Sequence, residues 1–206
     1  INILAEREII CICWKWEGSK KTYSLEWSAK KSDKAMLREF IKVIESADEI
    51  IGHNSDNFDI KWLRARCLYH RIPMSHDLPL TDTLKLSRKG FNLNSHKLAY
   101  IGDFMGIGSK GDPGGMQTWK EIMFKEADDP IYERAMRRMV RYCKKDVVIL
   151  ERIFQELIPY VGSKFHKAVA NGGSRIDCPE CESEDTYVSM TRTRATGTRT
   201  KQMKCK

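Results

Sequence analysis

The sequence predicts an α/β domain, a mixed sheet flanked by helices, followed by a small cysteine-bearing module. Three observations carry that prediction. An apolar run at residues 9–16 (Ile-Ile-Cys-Ile-Cys-Trp-Lys-Trp) is separated by a turn from Thr22-Tyr23-Ser24-Leu25-Glu26-Trp27, which alternates with period two. The pair reads as an antiparallel hairpin. Short apolar strand ends then alternate with stretches of helical periodicity, the pattern of a layered α/β fold. From Asn171-Gly172-Gly173-Ser174 onward the apolar content falls and Thr, Arg and Cys accumulate. That shift marks a linker and a second module. We expect a main domain over 1–160, a linker over 161–175 and the small module over 176–206.

Taken in order, strand 9–16 is expected to be strongly buried, with Glu17-Gly18-Ser19-Lys20-Lys21 as its turn. Ser32 can cap a helix whose apolar residues Met36, Leu37, Phe40, Ile41, Ile44 and Ala47 recur at helical spacing. Ile50-Ile51 is a short strand. A polar loop opened by Gly52 follows, and it leads into a helix from Asp59 to about Tyr69, stopped by Ile72-Pro73. Ile60, Leu63 and Cys67 share one face of that helix. Leu80-Thr81-Asp82-Thr83-Leu84 reads as a strand end turning into a helix, and Asn94 to Ile101 as a short helix. The next segment, 102–115, holds Gly102, Gly106, Gly108, Gly111 and the pair Gly114-Gly115. It lacks the G-x-x-x-x-G-K-[ST] spacing of a phosphate cradle and reads as a loop. A helix near Thr118–Ala127 precedes the longest one, about 131–157, for which Asp129 is the N-cap and Pro130 the first-turn proline. No internal repeat is visible.

The 206 residues suffice for one filled core and an appendage, and 41% hydrophobic with 31% charged residues excludes a disordered chain. No apolar run approaches the ~20 residues of a membrane span, and no signal peptide is visible. A net charge of +8 and a pI near 9.1 favour a polyanionic partner, with ordinary surface charge as the alternative. Of the seven cysteines, Cys11, Cys13, Cys67 and Cys143 fall within apolar or helical patterns and read as buried reduced thiols. Cys178, Cys181 and Cys205 cluster at the end, which suits a metal better than a disulfide frame. A reducing cytoplasm is the expected location. The absent methionine start and the end at Cys205-Lys206 read as cuts, and the oligomeric state is left open.

Two aspartates stand out. Asp59 sits where a polar loop between strand and helix presents side chains, although by itself a helix-start aspartate is explained by the helix dipole. In Arg141-Tyr142-Cys143-Lys144-Lys145-Asp146, Tyr142 and Asp146 lie one above the other on a helix face. A neighbouring stripe of Met139, Cys143, Leu150, Phe154 and Leu157 points inward. A carboxylate beside an apolar stripe needs a cation, donors or a metal, and Lys144-Lys145 offer the plainer solution.

Together, Asn54-x-x-x-Phe58-Asp59 after a strand and a helical Tyr142-x-x-x-Asp146 resemble the second and third motifs of the DEDD 3′–5′ exonucleases. Gly52-His53-Asn54-Ser55-Asp56-Asn57-Phe58-Asp59-Ile60-Lys61-Trp62-Leu63 is the most specific run. The resemblance covers about 1–160, is nearest to the exonuclease domains of family B DNA polymerases and their stand-alone relatives, and points to the tyrosine-bearing branch. It implies a ribonuclease H-like fold and a nucleic-acid substrate, DNA more than RNA. It also implies hydrolysis by two Mg²⁺ or Mn²⁺ ions roughly 4 Å apart. Asp59 and Asp146 would be metal ligands, Tyr142 would orient the attacking water, and Asn54 and Phe58 would shape the nucleotide pocket. His53 is a packing or substrate-contact residue, Asp82 a site-edge residue or a cap, and His96 an ordinary helical histidine. The family's first motif, Asp-x-Glu on the opening central strand, is absent: Glu6 and Glu8 have no aspartate two places earlier. The first central strand is missing with it, so this chain is expected to be inactive or nearly so.

Cys178-Pro179-Glu180-Cys181 with Cys205 resembles a zinc ribbon with three of the four ligands a structural zinc needs. A redox pair is the rival reading. Arg192, Arg194, Arg199, Lys201 and Lys204 on the intervening arms would meet phosphates without reading sequence, the alternative being a solvated basic tail that stays disordered without zinc. The alternative to an exonuclease is a non-catalytic nucleic-acid-binding protein that keeps the fold and the ribbon; an endonuclease would share the metal chemistry.

Overall fold

The computed structural model describes residues 7–75, 79–108, 114–161, 167–170, 172–174, 176–179, 181–193 and 199–205, the side chains of 167, 170, 199 and 200 aside. Glu6, Gly111 and Arg194 lie outside the described residues, as does the Arg199 side chain. The chain divides into two compact units, Ile1–Val161 and Gly162–Lys206.

The first unit is a mixed α/β fold. Strands β1 (Cys11–Lys15) and β2 (Thr22–Glu26) pair antiparallel, with Cys11 opposite Glu26 and Lys15 opposite Thr22. Helix α1 (Lys34–Glu45) leads to β3 (Ile50–Gly52), and α2 (Asp59–His70) leads to β4 (Leu80–Asp82). β3 and β4 pair in parallel. Helices α3 (Thr83–Gly90), α4 (Leu98–Phe104), α5 (Gly115–Phe124) and α6 (Pro130–Val161) complete the unit. Among the described residues no strand joins the two ladders. They share a core instead: Ile9 and Ile12 of the hairpin and Ile50 and Leu80 of the parallel pair pack against Leu37, Ile41, Ile60, Leu63 and Cys67.

The hairpin is covered on both faces, which explains why β1 reads as a continuous apolar run rather than an alternating one. Trp14 stacks on Tyr23 and meets Phe40 of α1, while Cys11 and Cys13 pack with Ile10 and Trp27 against Tyr132, Met136, Met139 and Val140 of α6. Polar ties reinforce this. Trp27 Nε1 donates to Tyr132 Oη at 2.7 Å, and Lys15 pairs with Glu151 at 2.6 Å. The expectation of strong burial is corrected: every β1 residue is half-buried, since among the described residues β2 is the one strand beside it. Further along α6, Ile149, Ile153 and Leu157 pack on Leu98 and Ile101 of α4. Burying an aliphatic side chain of this size contributes about 1.5–3 kcal/mol, so α6 is the spine of the unit.

Several local expectations shift. Asp33, not Ser32, occupies the N-cap position of α1, and its carboxylate is turned inward, bonding no helix N–H. It accepts instead from Arg66 Nε at 2.7 Å, Arg66 Nη2 at 2.9 Å, Ile9 N–H at 3.0 Å and His70 Nε2 at 2.6 Å. Helix α4 starts at Leu98 rather than Asn94, so His96 is not helical; it contacts Ser87 Oγ at 3.0 Å. Gly102 is helical, and α5 begins at Gly115. Asp129 does cap α6, its Oδ1 accepting from Ile131 N–H at 2.8 Å. Among the described residues no helix is long and apolar enough to cross a membrane.

The second unit, by itself, contains a helical turn, α7 (Lys167–Ala170), within the segment expected as linker, and an antiparallel hairpin of β5 (Thr186–Thr193) and β6 (Arg199–Cys205). A register shift lies between Val188 and Met190.

Candidate functional site

Strands β3 and β4 end at the same level, Gly52 opposite Asp82, and open onto one place. The carboxyl ends of parallel strands are where α/β sheets present functional groups. The loop after Gly52 folds back on it: a Cβ at position 52 would lie 2.3 Å from both Cβ and Oγ of Ser55. Only a hydrogen fits there. Asn54 adopts φ +61°, a left-handed conformation that asparagine tolerates. Its N–H donates to Asp82 Oδ1 at 2.8 Å, and that oxygen also accepts from Leu84 N–H at 2.9 Å. One buried carboxylate therefore caps α3 and anchors the loop. The Thr83 hydroxyl donates to Gly52 O at 3.1 Å, so it accepts from His53 at 2.9 Å and places the imidazole proton on Nδ1. Phe58 N–H reaches Asn54 O at 3.0 Å and Ile60 N–H reaches Ser55 O at 2.8 Å, which carries the loop into α2.

Acidic groups crowd this end of the ladder. Among the described residues, Asp56 Oδ1 and Asp82 Oδ2 are buried and accept no hydrogen bond, and the two carboxyl groups act on each other's titration. Burial, then Asp56, pushes the Asp82 pKa up, while Asp82 first and then the Lys85 ion pair hold Asp56 down. The two shifts are opposite in direction, so Asp56 gives up its proton before Asp82. Asp59 begins α2 and stays exposed as a residue. Its pKa is pushed up to about 6, first by desolvation of the carboxyl, against its own backbone bond, and then by Cys143 and Asp82. The influence of Cys143 ties Asp59 to the stretch of α6 that carries Tyr142 and Asp146, both half-buried. Phe58, immediately before Asp59, is 57% exposed and presents a ring to solvent.

The donors around Asp59 and Asp146 are carboxylate oxygens, the chemistry a hard divalent cation prefers. Among the described residues, neither belongs to a group of three metal-ligating side chains within 4.8 Å of one another. Two such groups do occur, and both are thiols: Cys11, Cys13 and Cys143, and Cys178, Cys181 and Cys205.

Of the residues expected at the site, His53, Asn54, Phe58 and Asp59 share one loop, and Asp82 is drawn in as its anchor, only 6% exposed. Glu8, which the expected acidic set leaves out, is engaged with Arg66 at 3.5 Å and accepts from Asp33 N–H at 3.3 Å. Sequence reasoning missed Asp56, although Asn-Ser-Asp-Asn-Phe-Asp displays it. It also missed the meeting of Cys11 and Cys13 with Cys143; the Cys-x-Cys spacing on a strand was the available signal, since period two puts both thiols on one face. The description of these three as buried core thiols is corrected to half-buried.

In the second unit, Cys181 Sγ lies 3.5 Å from Cys205 Sγ. Cys178 O accepts from Glu182 N–H at 2.9 Å, closing a turn that Glu182 completes at φ +64°. The basic arms are split by strand alternation. Arg192, opposite Thr200, shares a face with Lys204, opposite Tyr187, whereas Lys201, opposite Thr191, projects from the other face. They do not form one row.

A family model described as the RNase_H superfamily matches residues 6–158. No curated protein matches the chain.

Proposed function

The chain belongs to the RNase H superfamily, and from that premise we propose that it is a metal-dependent 3′–5′ exonuclease of the tyrosine-bearing DEDD branch, acting on single-stranded DNA. The observation that carries the reading is the placement of Asp59 at a strand-to-helix loop, next to the exposed Phe58 ring, where desolvation first and then Cys143 and Asp82 push its pKa up to about 6. A carboxylate in such surroundings gains most from a divalent cation. Asp59 and Asp146 would hold the ions. Bound Mg²⁺ or Mn²⁺ would supply an activated water and charge stabilisation at the leaving 3′ oxygen. Tyr142 orients that water, Asn54 and Phe58 receive the terminal nucleotide, and His53 and Asp82 keep the loop in place. In the second unit, Cys178, Cys181 and Cys205 would hold zinc, and Arg192, Lys201 and Lys204, with Arg194 and Arg199, approach the phosphate backbone.

The sequence contains no Asp-x-Glu, so two carboxylates stand for the four of that branch. Hydrolysis by this chain is therefore expected near background, and metal binding is the primary readout. Mn²⁺ binding followed by electron paramagnetic resonance is expected in the chain and lost in Asp59→Asn and Asp146→Asn. Adding an apolar strand with Asp-x-Glu before Ile1 is expected to bring stepwise release from a 3′ end. Unchanged Mn²⁺ binding in both variants would sink the metal assignment, and robust digestion by the unextended chain would sink the predicted inactivity. The non-catalytic alternative is favoured by one observation, the lack of a three-ligand group at Asp59 and Asp146 among the described residues. It predicts salt-sensitive DNA binding that Asp59→Asn leaves unchanged.

A further inference from the structure

The hairpin and α6 meet at a cluster that the nuclease reading does not use. Period two sends the side chains of Cys11 and Cys13 to the face of β1 that packs on α6. Cys13 Sγ lies 3.8 Å from Val140 O, and less than one helical turn further on Cys143 completes a group whose three sulfurs all lie within 4.8 Å of one another. All three residues are half-buried, and no disulfide joins them.

We propose that Cys11, Cys13 and Cys143 form a thiolate site for a soft divalent ion, with zinc as the first candidate, that clamps the hairpin to α6. Zinc bonds to thiolate at about 2.3 Å, which in a tetrahedron separates sulfurs by roughly 3.8 Å, so the group need contract by only about 1 Å or less. Half-burial lets an ion enter and leaves the fourth position to water. Three thiolates and a divalent ion carry one net negative charge, and Lys144 is near enough to act on Cys13 and offset it. Thiolate sulfur selects a soft ion here, whereas the carboxylates around Asp59 select a hard one, so the two sites do not compete for one metal. The clamp falls between the existing ties of the hairpin to α6, Trp27 to Tyr132 and Lys15 to Glu151, and Cys143 follows Tyr142 directly. The inference does not rest on the nuclease reading. The opposing account treats the thiols as small packing residues that bind nothing.

The test uses the full chain in two ways. In wild-type protein, one equivalent of zinc beyond that taken by the terminal cysteines is expected to slow alkylation of Cys11, Cys13 and Cys143 at least tenfold, read peptide by peptide by mass spectrometry. No variant is needed for that measurement. In a chain carrying Cys178→Ser, Cys181→Ser and Cys205→Ser, cobalt(II) is expected to give thiolate-to-cobalt absorption that saturates at one equivalent. Adding Cys143→Ser should abolish it, and adding Cys67→Ser should not. The proposal is overturned if zinc protects only the terminal cysteines, or if the cobalt signal is absent from the serine background or survives Cys143→Ser.

Discussion

Asp33→Ala is expected to be the most damaging single change in the first unit. The Asp33 side chain is fully buried, and its two oxygens accept four N–H groups, from Arg66 twice, His70 and Ile9. These bonds join the approach to β1, the start of α1 and the middle of α2. Truncation leaves the Arg66 guanidinium, 3% exposed, with Glu8 at 3.5 Å as its carboxylate partner among the described residues. Breaking one side of a buried pair costs about 3–5 kcal/mol, since the remaining charge is stranded. At about 2–4 °C per kcal/mol for a domain of this size, the melting temperature should fall by about 6–20 °C. Thermal unfolding of the full chain by far-ultraviolet circular dichroism measures this, with urea titrations to check the slope. Asp33→Ala/Arg66→Met removes both charges and should recover most of the loss. A single variant within 1 kcal/mol of wild type, or a double variant as unstable as the sum of the singles, would refute the reasoning. A pH arm follows. Burial works to raise the Asp33 pKa, but Arg66, Ile9 N–H and His70 outweigh it and hold the carboxyl below its ordinary 3.8. Its stabilisation is therefore present above pH 3.8 and lost as pH falls through the lower native value.

Gly52→Ala places a Cβ 2.3 Å from Ser55, so the loop must lift off the strand end. A loss of about 1–3 kcal/mol in denaturant titrations is expected, with Mn²⁺ binding weakened as Asp59 shifts; a variant equal to wild type in both would show that the loop is not held there. For Asp59, the native pKa of about 6 lies above the ordinary 3.8, so the folded protein holds more protons between those values. Stability should fall as pH rises through that window and Mn²⁺ affinity should rise, by roughly tenfold per unit below about pH 6. Asp59→Asn should flatten the proton-linked stability slope, measured by unfolding titrations across pH 4–7, and an unaltered slope would count against the assignment.

Elements set by local chemistry were legible in the sequence. The period-two hairpin, the Asp129-Pro130 opening of α6 and the Gly52-to-Leu63 loop and helix each announce themselves within a dozen residues. The structure keeps all of them, moving only boundaries such as that of α4. What could not be read was convergence. Ser32 looked like the cap because a cap signal is local; Asp33 turns inward because Arg66 and His70, a whole strand and loop later, arrive with donors. The two cysteines of β1 looked like core fillers until α6 brought a third.

The same distinction decides what Asp59 means. From the chain alone it is an aspartate at a helix start, which the dipole suffices to explain. Its raised pKa comes mainly from desolvation, with Asp82 on β4 and Cys143 on α6 adding negative potential. A dipole-stabilised aspartate would instead be lowered, and would gain little from a cation. The surroundings of Asp59, rather than its position at a helix start, therefore favour a cation-seeking carboxylate over a structural one, and part of them, Cys143 on α6 and Asp82 on β4, comes from elements remote in sequence.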